Sequence, residues 1–271
     1  MSNIDELKQI AKQVRKGIIE QVYSAQSGHP GGALSVADIL TVLYFDEMNI
    51  DKDNPNKENR DRFVLSKGHA SAALYSVLAN KGFIDIEELK TFRNIESNLQ
   101  GHPDRNKVLG VEMTTGSLGQ GLSAANGMAI SGKLRNQDYR VYCVLGDGEI
   151  EEGQVWEAAM AAAHYKLDNL CVIVDNNNLQ IDGEIVKVMS SYPIDEKFAS
   201  FGFEVMNIDG HDIDEIKKAF EVARTIKGKP TAIIAKTVKG KGVAFMENQA
   251  GWHGKAPKED EYIQAMKELE G

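Results

Sequence analysis

Two stretches decide the fold: Arg140-Val-Tyr-Cys-Val-Leu-Gly146-Asp147-Gly148 and Leu170-Cys-Val-Ile-Val-Asp175-Asn176-Asn177-Asn178. Each opens as a β-branched apolar run of strand length and closes on polar residues, with a long Ala-rich helical segment between them. Strand, helix and strand in that order form one unit whose strands run parallel and carry their polar residues at the carboxyl end. Ligands of open parallel sheets bind outside that end. An Asp on one strand end and an Asn on the next offer the oxygen donors Mg2+ prefers, and Gly146 and Gly148 let backbone approach a phosphate closely. The unit therefore reads as a site for a metal-bound diphosphate. A dinucleotide turn would need Gly-x-Gly-x-x-Gly, whereas this one is Gly-Asp-Gly-Glu-Ile-Glu, whose carboxylates repel a bare pyrophosphate but tolerate one carrying a divalent cation.

Working outward, Ile4, Leu7, Ile10, Val14, Ile18 and Val22 recur at helical spacing and predict an amphipathic helix over 4–22. A Gly- and Pro-rich loop follows at 26–33, then a helix over 35–45 with Ser35 as its N-cap. The charged run 51–62 reads as an exposed connection. Beyond it come a strand at 63–65, helices over 70–80, 87–92 and 122–134, a helix over 213–225 capped by Asp212, a strand at 230–236 and a charged helix over 258–269. Strands alternating with helices predict an α/β fold, a doubly wound, mainly parallel sheet with helices on both faces. Cys143 and Cys171 fall inside the two deciding strands and read as core residues.

A net charge of -9 argues against nucleic acid and anionic membranes, which are bound by clustered Lys and Arg. The start, Met1-Ser2-Asn3-Ile4, has no apolar signal-peptide core, and no uncharged stretch is long enough to span a bilayer. A soluble, cytoplasmic enzyme is the expectation.

Ser27-Gly-His29-Pro-Gly-Gly32, Lys67-Gly-His69-Ala70, Gly101-His102-Pro103, Thr114-Thr-Gly116-Ser-Leu118-Gly-Gln-Gly121 and His253-Gly254 flank the Gly-Asp-Gly and Asn-Asn pair. In these motifs, and in their order, the chain resembles the thiamine diphosphate enzymes and among them the transketolases, over nearly its whole length. The resemblance implies the diphosphate-binding (PP-type) domain of that fold. It implies that Asp147, Asn177 and the carbonyl of Leu179 hold Mg2+ or Ca2+, and that Gly146, Gly148, His69 and His253 meet the diphosphate. Gly116 and Leu118 would lie against the cofactor rings, Glu152 near the cofactor at a contact between chains, and His29, His102 and His253 along the sugar channel. Imidazoles suit that channel, since a neutral ring both donates to and accepts from hydroxyls and moves protons near neutral pH. His164 and His211 are assigned to packing or turn hydrogen bonds, Trp156 to core or interface, Asn176 and Asn178 to turns, and Glu149–Glu152 to a solvated helix start.

Residues 1–271 read as a single domain finishing in a loop and helix from about residue 243, without the family's pyrimidine-binding and C-terminal domains. The expectation is a transketolase subunit of the pentose phosphate pathway, moving a two-carbon ketol unit from a ketose phosphate to an aldose phosphate. It would be inactive without a second chain that carries the pyrimidine-binding domain, the pair forming an α2β2 heterotetramer. The alternatives are the α subunit of a 2-oxo acid dehydrogenase first component, disfavoured by the Ser-Gly-His-Pro-Gly-Gly motif, and a non-catalytic cofactor-binding half-domain.

Overall fold

The apolar runs become strands because their β-branched side chains can be buried on both faces of a parallel sheet. The computed structural model describes residues 3–271; Met1 and Ser2 of the charged start lie outside the described residues. Its strands are β1 (Arg62–Leu65), β2 (Val141–Gly146), β3 (Leu170–Asn176), β4 (Leu179–Gln180), β5 (Gly183–Glu184), β6 (Glu204–Asp209) and β7 (Thr231–Lys236). The α-helices are α1 (Ile4–Ala25), α2 (Pro30–Ser35), α3 (Ala37–Val42), α4 (Ser71–Lys81), α5 (Gln120–Leu134), α6 (Gly153–His164), α7 (Ile185–Val188), α8 (Ile194–Ser200), α9 (Ile213–Thr225) and α10 (Glu259–Glu268). The main sheet has the order β1-β2-β3-β7-β6 with every pairing parallel, while β4 and β5 make a separate antiparallel hairpin.

Alternation along the strands sorts the core into two layers. Leu65, Val144, Ile173 and Ala235 point to one face, where Val14 and Ile18 of α1, Ile39 of α3, Leu74 of α4 and Phe220 of α9 pack on them. Val64, Leu145, Val174 and Ile234 point to the other, under Leu122 and Ala129 of α5, Val155 of α6 and Phe198 of α8. Each fully buried Val, Leu, Ile or Phe among them contributes roughly 1.5–3 kcal/mol over its exposed state. Cys143 and Cys171 are both free core thiols, as expected, and they belong to opposite layers. Burial pushes the Cys171 thiol up to about 12.

Locally the structure differs from the sequence reading in its helix starts and in one strand, and the helix expected over 87–92 is a short 3-10 turn, Ile86–Thr91. Ser35 does not start a helix: α2 begins at Pro30, with His29 as its N-cap, and Ser35 is its last residue. Proline at the first helical position needs no N–H and already has helical φ, so Pro30 is the start signal. Ser35 turns its hydroxyl inward instead, onto Gly32 O at 3.2 Å and Asp175 Oδ2 at 2.6 Å. Strand β6 is absent from the sequence reading because, as an edge strand beside β7, it is half exposed and carries no continuous apolar run. No described helix is long and apolar enough to cross a membrane.

Candidate functional site

Parallel register brings four chain segments side by side at the carboxyl edge of the sheet. They are Ser66-Lys67 after β1, Gly146-Asp147 at the end of β2, Asp175 to Asn177 at the end of β3, and Thr237 after β7. At their centre is the fully buried carboxylate of Asp175, paired with the Lys67 ammonium, whose side chain is only 2% exposed. Ser35 and Thr237 donate hydroxyl hydrogen bonds to Asp175, and the amide of Asn177 approaches its Oδ2 at 3.5 Å. Burial pushes the Asp175 carboxyl up, but the Lys67 charge and the donors around it outweigh that and hold it below its ordinary range. Lys67 also donates to Gly32 O at 2.9 Å, tying the β1 end to α2.

Asp147 is buried next to this cluster, its Oδ1 accepting from the Gly148 amide at 2.9 Å and its Oδ2 from the Asn178 amide. Burial, and then the neighbouring Asp175 charge, raise its carboxyl to about 7. Asn177 is buried with its Oδ1 accepting from Leu179 N at 3.1 Å, and Asn178 takes a left-handed backbone, φ 62°, as a turn former does. Asp147, Asn177 and Leu179 thus assemble at one place. Gly148 offers close approach rather than a free N–H, since Asp147 already uses its amide.

Glu149 departs from the expected solvated helix start. It is buried and accepts from Ser66 Oγ, from Gly119 N at 3.0 Å and from Gly146 N at 3.0 Å, bracing the ends of β1 and β2 against the loop before α5. The last member of that acidic run, Glu152, is exposed at the N-cap of α6 and touches Gly119, next to half-buried Leu118.

The histidine loops converge as well. His29, His69 in the turn before α4, and His253 form a triangle with ring centroids 5.4 Å (29 to 69), 5.4 Å (29 to 253) and 5.3 Å (69 to 253) apart. His102 is more exposed and sits against Gly116, whose φ of 155° only glycine adopts freely; a Cβ there would lie 3.2 Å from the His102 ring. All four imidazoles are held neutral. Burial first, then Arg93, His102 and Lys239, lower His29 to about 4; burial, Lys239, His29 and Lys67 lower His253 to about 3. His69 is pushed down by burial and Lys67, and His102 by burial and Arg93.

Lys239 joins the two groups. Its Nζ lies 3.2 Å from the Leu179 carbonyl and 2.8 Å from His253 Nδ1, and burial and the Lys67 charge lower its ammonium to about 8. Lys239, Lys67, Asp175 and Glu149 are the functional candidates that motif reading misses. Their signal is nonetheless present: a lone Asp closing an apolar strand, and a lysine within each of two Gly-containing motifs. His211, by contrast, spends both ring nitrogens on structure, Nδ1 on Asp38 Oδ2 at 2.7 Å and Nε2 accepting from Val238 N at 2.8 Å. Trp156 packs on Phe198 and Phe201 and donates to Ile150 O. His164 is exposed against Tyr165, not packed in the core.

One carboxylate, one amide oxygen and one backbone carbonyl make an all-oxygen set suited to a hard divalent cation. Among the described residues no group of three His, Cys, Asp or Glu is placed to hold a metal ion. Lys239 and the neutral imidazoles beside it suit a diphosphate. A cavity of about 1290 Å3 shares Asn177 and Leu179 but extends away from this cluster toward Tyr192, His211 and Lys241, touching none of the four site histidines.

Residues 6–271 match the family model described as transketolase, thiamine diphosphate binding domain. The chain is 43% identical over 265 residues to the 6-deoxy-6-sulfo-D-fructose transketolase subunit of Clostridium sp. (strain MSTE9), covering 98% of this chain and 96% of that protein. It is 43% identical over 266 residues to an apulose-4-phosphate transketolase subunit of Phocaeicola vulgatus, covering 98% and 94%. The crystal structure of Campylobacter jejuni transketolase superposes with a TM-score of 0.93 at 39% identity, over 99% of this chain but only 43% of that longer one. The chain belongs to the transketolase family, through that family's thiamine diphosphate-binding domain.

Proposed function

We propose that this chain is the diphosphate- and metal-binding subunit of a two-chain, cytoplasmic transketolase that moves a two-carbon ketol unit from a ketose phosphate to an aldose phosphate. Thiamine diphosphate, when bound, supplies the nucleophilic carbon that carries the two-carbon unit. In this reading Asp147, Asn177 and the Leu179 carbonyl hold Mg2+ or Ca2+, with Gly146 and Gly148 admitting the diphosphate close to the backbone. His69, His253 and Lys239 donate to that diphosphate, and Gly116 and Leu118 lie against the cofactor rings. His29, His102 and His253, neutral through the physiological range, hold the sugar and exchange protons with its hydroxyls. Glu152, exposed beside Leu118, faces a second chain that brings the pyrimidine-binding domain, in an α2β2 assembly.

The observation that carries this reading is Lys239. Its ammonium lies within reach of both the Leu179 carbonyl and His253, which supports reading the proposed cation set and the histidine triangle as one site. The two subunit relatives are named for 6-deoxy-6-sulfo-D-fructose and for apulose-4-phosphate, so the donor is best sought in a panel that includes both with xylulose 5-phosphate. The 2-oxo acid dehydrogenase alternative gains no support from the family match.

The test is to purify this chain and its partner separately and assay ketol transfer to ribose 5-phosphate. Turnover is expected only on mixing, with thiamine diphosphate and a divalent cation. Full turnover by this chain alone, or 2-oxo acid decarboxylation by the mixture without ketol transfer, would overturn the proposal.

A further inference from the structure

Arg93 belongs to none of the site motifs, yet it ties two of them together. Its backbone is left-handed, φ 61°, and its amide donates to Leu99 O at 2.8 Å. Such a conformation is strained for a residue with a Cβ, so the surroundings must hold it. The guanidinium lies against Gly101, where a Cβ would sit 2.8 Å from Arg93 Cζ, one residue before His102. From there Nη1 donates to Ser27 Oγ at 3.1 Å, and Nη2 reaches His29 Nδ1 at 3.5 Å.

A guanidinium has donors only and keeps its proton at every working pH. Facing it, Nδ1 of His29 must be an acceptor, so the ring hydrogen of the neutral imidazole sits on Nε2. That edge of the ring faces Gly254: a Cβ there would lie 3.8 Å from His29 Cδ2 and 3.9 Å from Nε2. The edge thus turns toward the residue after His253, on the side away from Arg93. An ammonium opposite His253 Nδ1, from Lys239 at 2.8 Å, imposes the same tautomer on that ring.

We propose that Arg93 is a positioning residue for sugar binding: its guanidinium fixes His29 as the Nε2–H tautomer, so that this imidazole presents a donor to a carbonyl or hydroxyl oxygen of the bound sugar. This rests on the ketol-transfer reading of the site. The fixed charge of Arg93 also follows burial among the causes that keep His29 neutral, alongside His102 and Lys239, with the rings of His69 and His253 packed against it.

The test uses the 15N-histidine-labelled chain, its tautomers read by long-range proton-nitrogen correlation NMR, as wild type, Arg93→Lys and Arg93→Met. His29 in the wild type is expected to carry its hydrogen on Nε2. In Arg93→Met the Nδ1–H form should appear and the titration midpoint of His29 should rise toward that of free histidine; Arg93→Lys should restore both. With the partner chain, xylulose 5-phosphate and ribose 5-phosphate, kcat/KM of Arg93→Met should fall about tenfold, one hydrogen bond's worth. The acid limb of its pH profile should move upward, and Arg93→Lys should recover most of the loss. A wild-type His29 protonated on Nδ1 overturns the proposal by itself, whether or not Arg93→Met folds. So does a folded Arg93→Met with unchanged tautomer and pH profile. A tautomer that follows Arg93 in a chain pair without ketol transfer would sink the functional reading and leave the tautomer assignment standing; an unaltered tautomer with full ketol transfer does the reverse.

Discussion

Replacing Lys67 with Met tests whether the buried pair at the centre of the site holds the carboxyl edge together. Lys67 and Asp175 have side chains 2% and 0% exposed, so neither charge is screened by water. Met fills the lysine stem but removes the charge. Asp175 keeps the Ser35 and Thr237 hydroxyl bonds and no cation within hydrogen-bond distance. Breaking a buried pair by removing one partner costs about 3–5 kcal/mol, because an uncompensated charge is left in low dielectric. With a urea m-value of about 2 kcal/mol/M, the unfolding midpoint should drop by roughly 2 M. The double variant Lys67→Met/Asp175→Asn leaves a neutral amide whose oxygen accepts from one of the two hydroxyls and whose nitrogen donates to the other, and should recover to within about 1.5 kcal/mol of wild type.

The pH dependence gives a second handle. In the wild type Asp175 is held below its ordinary range, so it contributes stability above the unfolded value of 3.8 and loses it as pH falls through the folded value. In Lys67→Met burial acts with less opposition and the folded value rises, so the folded state binds the extra proton and the cost grows as pH rises. The gap between the two proteins should be widest at neutral pH and narrow toward pH 4. A Lys67→Met protein within about 1 kcal/mol of wild type at pH 7, or a gap that does not change with pH, would refute this account of the site.

Three further outcomes follow from the same geometry. Gly121→Ala should lower stability by about 1–3 kcal/mol, checked by thermal melting, since overpacking forces backbone shifts: its Cβ would meet Ser66 Oγ at 2.4 Å and Ser66 Cα at 2.8 Å, disturbing the hydroxyl that serves Glu149. Asp147→Ala should weaken Mg2+-dependent binding of thiamine diphosphate by at least about 100-fold in calorimetry, more than the loss of an outer partner costs; binding within threefold of wild type would count against the oxygen set. His29 and His253, lowered to about 4 and about 3, charge in the unfolded chain before they charge in the folded one, so stability should fall as pH drops from 6.5 toward 4. After discounting for their partial exposure, each accounts for about 1 kcal/mol at pH 5, and His29→Asn/His253→Asn should show a correspondingly smaller drop in urea midpoint between pH 7.5 and 5.

What can be read from residues alone divides along a physical line. Apolar runs and glycine punctuation are local, and they place β2, β3 and β7 and their polar carboxyl ends almost to the residue, because a strand buried on both faces has few other sequences open to it. The half-exposed strand β6 has no such constraint and leaves no pattern. The histidines are visible because each sits in its own Gly-containing motif, and the sheet then supplies their convergence. The charges that govern those histidines are not visible in the same way. Asp175 meets Lys67 from 108 residues away, and Arg93 reaches His29 across 64, separations at which no local pattern marks a pair. Glu149 shows why the bland reading of a charge run can fail: an acidic run at a helix start is ordinarily solvated, but its first member turns inward where N–H and O–H donors await it. Glycine-flanked motifs therefore reveal the histidines and the Asp and Asn at the sheet edge, and pass over the buried charges that hold those histidines neutral. Chemistry at this edge depends on both, since a His29 with the opposite tautomer would sit in the same place and offer an acceptor where a donor is needed.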